Sequence, residues 1–212
     1  KKGKSIGETL GSGIKTAAKW GTAIVAGAGA AAAGVMGLAT KVAGAGDRVD
    51  KLSQKLGFSR EGFQEWDFIL SQNGASIDGM QAGIKTLTNQ FDELGRGGSV
   101  ATEAFGALGL TYDDLAGLSQ EEIFEKTIEA LQGVEDTTKR AALANDLLGR
   151  SGSELAPLLN TSAESVAKMK QEAHDLGMVM GDDAVDSAVT LTDTMDKLKR
   201  SMGGMLNSVM AP

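Results

Sequence analysis

Helix punctuation recurs along most of this chain, and it leaves little choice of fold class. Hydroxyl or acidic residues that can cap an N-terminus stand before apolar residues spaced three and four apart, and Gly or Asn-Gly follows. Asp47 can open a helix whose Val49, Leu52 and Leu56 share a face, with Gly57 as the stop. Ser59 opens the next, with Phe63, Trp66, Ile69 and Leu70 inward and Asn73-Gly74 at its end. Ser76 opens a third, in which Met80, Ile84, Leu87, Phe91 and Leu94 alternate steps of four and three before the cluster Gly95-Arg96-Gly97-Gly98, a natural boundary.

The second half repeats the pattern with fuller caps. Thr111 with Asp114, Ser119 with Glu122, Ser151 with Glu154 and Thr161 with Glu164 fit the capping box or its acidic variant. Apolar stripes follow at Ile123, Phe124, Ile128 and Leu131, at Leu143, Leu147 and Leu148, and at Val166, Met169, Ala173 and Leu176. A last helix from about Asp182 sets Ala188, Leu191, Met195, Leu198, Met202 and Met205 at alternating steps, the pattern of a coiled-coil seam; under three heptads long, it fits an ordinary packed helix as well as an oligomerisation zipper. Nothing alternates with period two over a strand's length, and only 2 Pro interrupt the chain, so the expectation is all-α. With aromatics at 4%, the helices are expected to have thin cores and to form an elongated array that buries faces on neighbours or partner chains.

The start differs. From Trp20 to Thr40 run 21 uncharged residues, flanked by Lys15, Lys19 and Lys41. As a helix this run reaches about 30 Å, the thickness of a hydrocarbon core. Thirteen of the 21 are Gly or Ala, however, and only Ile24, Val25, Val35, Met36 and Leu38 are strongly apolar. Gly29, Ala33 and Gly37 place small residues on one face, which suits close helix packing in lipid or in protein, and both readings stay open. Charge divides in the same place. Residues 1–19 carry five Lys against Glu8, whereas residues 42–212 carry fifteen basic and twenty-seven acidic groups within the overall −7. An acidic body repels phosphates, so no specific nucleic-acid binding is expected. There is no Cys, and hence no disulfide. The chain opens on Lys1 without Met and is expected to be part of something longer.

Catalytic chemistry finds few candidates. His174 is the single imidazole and reads as a helix surface or interface residue. The pairs Asp113-Asp114, Glu121-Glu122 and Asp182-Asp183 each fall in an expected first turn, where the helix dipole stabilises negative charge. Gly11-Ser12-Gly13-Ile14-Lys15-Thr16 has Ile where a phosphate loop needs Gly before its Lys. No catalytic, cofactor-binding or metal-ligating residue is therefore expected.

Three long segments carry a resemblance: AGDRVDKLSQKLGFSREGFQEWDFILSQNGASI at 45–77, IFEKTIEALQGVEDTTKRAALANDLLGRSGSELAPLL at 123–159, and AHDLGMVMGDDAVDSAVTLTDTMDKLK at 173–199. In that order, over 45–202, the chain resembles the conserved region of phage tail tape measure proteins. The resemblance implies an elongated, helical, oligomeric protein in the lumen of the tail tube, which sets tail length and nucleates tube assembly. Its implied partners are the tail tube protein, the assembly chaperones, tail tip or baseplate proteins, further copies of itself, and the host membrane during genome ejection. The long ruler helix of that family is missing, since 212 residues reach only about 320 Å as helix.

The organisation expected is thus a basic start and Ala/Gly-rich hydrophobic helix over 1–46, a helical segment over 47–96, and a second over 97–212 that ends in the seam. Trp20, Gly29, Ala33 and Gly37 are the expected membrane or packing face, and Leu191, Met195, Leu198 and Met202 the expected oligomer seam. The runner-up function is a membrane-active or pore-forming helical protein with no tail context. A cell-wall hydrolase and a helical adaptor are weaker alternatives.

Overall fold

A computed structural model describes the backbone of residues 32–209 and the side chains of residues 41–197 and 200. Among the described residues the chain is all-helical, with no strand. In chain order the helices are α1 (Ala32–Leu56), α2 (Arg60–Gln72), α3 (Ile77–Gly95), α4 (Ser99–Ala107), α5 (Tyr112–Leu115), α6 (Gln120–Gln132), α7 (Thr137–Leu148), α8 (Ser151–Glu154), α9 (Ala156–Leu159), α10 (Ala163–Asp175) and α11 (Asp182–Val209). They fall into two compact units, one made of 53–179 and the other of α1 up to Leu52 together with Met180 to the end of α11.

Caps place most of the helix ends. The hydroxyls of Ser59 and Ser76 accept hydrogen bonds from Gly62 N at 2.9 Å and Gly79 N at 3.0 Å. Thr111–Asp114 and Ser119–Glu122 form complete capping boxes, the carboxylates accepting from Thr111 N at 2.8 Å and Ser119 N at 2.7 Å. At the other end of α1, Gly57 takes φ +66°, so that Gly57 N donates to Gln54 O and Phe58 N to Ser53 O. Only glycine adopts that left-handed turn without a Cβ penalty. Gly74, at φ +68°, closes α2 with Ala75 N donating to Leu70 O.

Four expectations about helix ends are corrected. Asp47 caps nothing: α1 runs unbroken from Ala32, and Asp47 lies within it, accepting a hydrogen bond from Lys51 Nζ one turn on at 2.7 Å. Because Ala-rich sequence precedes it with no Pro, the helix has no reason to begin there. Ser151 is already inside α8 and buried, following the tight turn at Gly149, so its hydroxyl makes no cap. The cap of α10 is Ser162, which accepts from Ser165 N, while Thr161 donates to Asn73 Oδ1 at 2.7 Å. A long-range partner has drawn the Thr161 hydroxyl away from the helix start. Leu176 lies just beyond α10 and is 54% exposed, because the helix ends at Asp175 and the chain turns back through Met178 N to Ala173 O.

Within 53–179 most of the aromatic residues are buried, while Phe91 stacks on the exposed Tyr112 with ring centroids 5.3 Å apart. Phe63, Trp66, Phe105 and Phe124 are fully buried, with Ile69, Leu70, Met80, Leu87, Leu115, Ile128, Leu131 and Leu147. Trp66 meets Phe124 edge to face, with ring centroids 5.1 Å apart, and Phe58 tilts against the same ring at 6.0 Å. Helix α3 packs on α4, α5, α6, α7 and α8, and α2 packs on α10. The glycine cluster at 95–98 is a turn inside this unit, joining α3 to α4. Gly79 and Gly83, one turn apart on α3, face Glu154 and Ser151 of α8, where larger residues would hold the two helices apart.

Candidate functional site

Three groups of residues have a claim to function: the α1 and α11 faces, the acid pairs, and a charged cluster between α2, α6 and α10.

On α1, Val42, Ala43 and Val49 are buried, and on α11 so are Val185, Ala188 and Leu191. Gly46 touches Ala188, so closely that a Cβ there would overlap it. Of the seam residues, Leu191 is buried within the chain and Met195 is half-buried; Leu198 and Met202 lie on α11, and their side chains fall outside the described residues. Trp20 and Gly29 lie outside the described residues, as does Gly11–Thr16; Ala33 and Gly37 belong to the described backbone of α1 alone. Among the described residues no helix is long and apolar enough to cross a membrane.

Two of the three acid pairs hold backbone amides. Asp114 lies below the ordinary carboxylate value because the Thr111 side chain and amide donate to it. Glu122 is lowered likewise by the Ser119 amide and hydroxyl. Glu121, beside it, reaches across to α2 and accepts from Ser59 N at 2.7 Å, so one helix start supplies a carboxylate to another. Asp182 and Asp183 stand in the first turn of α11.

The third group is assembled by tertiary packing. On α10, Lys170 and His174 are one turn apart; on α2, Glu61 and Glu65 are one turn apart; the two helices pack with these edges facing. His174 Nε2 lies 2.8 Å from Glu65 Oε1 and 3.5 Å from Glu61 Oε1. Lys170 Nζ lies 3.3 Å from Glu65 Oε2 and donates to Glu125 Oε1 of α6 at 2.6 Å. The same ammonium sits 5.5 Å from the Trp66 ring centroid. Burial pulls the Lys170 pKa down, but the hydrogen bonds and charges of Glu125 and Glu65 more than offset it, and the group is held above its ordinary value. A cleft of about 200 Å³ opens alongside, lined by Trp66, Glu125, Glu129, Gln132, Val166 and Lys170, among others.

Sequence reasoning placed His174 on a helix surface or interface and passed over its partners. The spacing of Glu61 to Glu65 and of Lys170 to His174 is visible in the sequence, yet nothing in either helix alone says that the two edges meet. No family model, no curated protein and no solved structure matches the chain.

Proposed function

We propose that this chain is a segment of a phage tail tape measure protein, a structural component that lies in the lumen of the tail tube, sets tail length and nucleates tube assembly. The reading rests on one observation, the order and extent of the three segments at 45–77, 123–159 and 173–199. The all-helical build is consistent with it, because a ruler needs only a rise fixed by backbone hydrogen bonds, with no chemistry. Capped helices supply rigid blocks.

In this reading the protein is elongated and oligomeric, and copies meet along α11 through Met195, Leu198 and Met202. The acidic body lets DNA pass through the tube without sticking, since its charge repels phosphates. The basic start and the Ala/Gly-rich run meet the host envelope once the protein is released with the genome.

The test is made in the parent gene. In-frame deletions of helical residues in the length-determining part should shorten tails by about 1.5 Å per residue removed, measured by electron microscopy. Tails of unchanged length, or normal tails from a strain lacking the gene, would refute the assignment.

A further inference from the structure

We infer that Glu61, Glu65 and His174 form a binding site for a divalent transition-metal ion of the zinc type, between the first two turns of α2 and the last turn of α10. One ligand atom from each of the three residues can be chosen so that all lie within 4.8 Å of one another. Four-coordinate zinc, with bonds of about 2.0–2.2 Å, sets its ligand atoms about 3.3 Å apart. The distances from His174 Nε2, 2.8 Å to Glu65 and 3.5 Å to Glu61, straddle that spacing. An ion would widen the Glu65 contact by about 0.5 Å and needs a small rotation of Glu61, whose side chain is 67% exposed.

The donor set selects the ion. One imidazole nitrogen with two carboxylate oxygens suits zinc and its neighbours, whereas magnesium and calcium prefer oxygen alone. Two carboxylates also balance a divalent charge. Lys170 bonds to Glu65 through the other oxygen, Oε2, which leaves Oε1 facing the imidazole. Glu125 neutralises the lysine, so the cation beside the site is already paired. Such an arrangement, a carboxylate ligand steadied by its own partner, orients the first ligand shell. His174 is 36% exposed, so the fourth position opens on solvent and a water fills it. The ion would fasten α2 to α10, and the site would stand whether or not the chain belongs to a phage tail.

The experiment is a titration of the untagged full chain with ZnCl2, by calorimetry and by imidazole nitrogen NMR. Because the chain has a single His, the ring gives one set of signals. Binding of one equivalent with Kd below about 100 µM, a shift of the His174 Nε2 resonance, and roughly tenfold or greater weakening in both H174Q and E61Q would bear the site out. Both substituted side chains are partly or largely exposed, and circular dichroism checks that the variants stay helical. Absence of binding in that range, zinc binding that survives H174Q, or an equal response to MgCl2 would overturn it.

Discussion

Two buried glycines of this fold look alike in sequence and differ in what stands in front of them. A Cβ at Gly152 would lie 2.6 Å from the backbone carbonyl atoms of Ala144, and backbone within a packed helix cannot yield. At Gly62 the obstacle is the carboxylate end of Glu121, which can swing away at the cost of its bond to Ser59 N. Gly152→Ala is therefore expected to destabilise the protein by about 2–3 kcal/mol, the cost of overpacking. Gly62→Ala should lose about 1 kcal/mol, the worth of one cap, part of it recovered by the better helix propensity of Ala. Urea denaturation of both variants checks the order; equal losses would mean that the α7–α8 corner relaxes more readily than its geometry implies.

At the scale of the element, the capping boxes tie stability to pH. Asp114 and Glu122 have ordinary values of 3.8 and 4.5 and are lowered in the folded protein by their hydrogen bonds to Thr111 and Ser119. Their contribution is therefore fully present above about pH 5 and is lost as pH falls through the lowered folded values, because the unfolded chain takes up protons first. The urea midpoint should fall as pH is lowered from 5 to 3. Over that window a Thr111→Ala, Ser119→Ala double variant should show a flatter dependence from a lower starting point, about 1 kcal/mol per cap. A parallel decline in both proteins would show that other carboxylates dominate acid unfolding.

Element boundaries also show what could be read from the sequence. Ser59, Ser76, Thr111 and Ser119 were legible because a cap is a local bargain, settled within three or four residues. Thr161 and Ser151 carried the same signal and failed for tertiary reasons: Asn73 claims one hydroxyl, and the other is buried against Gly83 as the first residue of α8 rather than its cap. Helix α4 went unremarked, although its Phe105 is fully buried, because it is only nine residues long and its apolar positions are mostly Ala, with Val100 and Phe105 the bulky ones. The Glu61, Glu65 and His174 cluster was illegible because only tertiary packing brings it together. It joins residues 109 positions apart, and no periodicity encodes which helix edges will meet.

Across the whole molecule, both compact units combine branched side chains with close approaches at small residues. The core of 53–179 includes Gly83 against Ser151 and Gly152 against Ala144, and the unit of α1 and α11 buries Val42, Val49, Val185 and Leu191 and sets Gly46 against Ala188. Small residues bury little area, so they stabilise through closeness of approach and forgive nothing that widens it. Gly46→Leu places a side chain where Ala188 already stands, and the helix itself gains propensity by the change, so any loss must come from parting the two helices. The expected result, by hydrogen exchange with mass spectrometry, is faster exchange in residues 41–52 and 182–197, while α2, α3, α6 and α7 keep their protection. That pattern would establish that the two units open separately, since local unfolding follows cooperative blocks. A uniform loss of protection through 53–179 would instead mean that the core around Trp66 and Phe124 depends on the α1–α11 pair, and that the chain unfolds as one body.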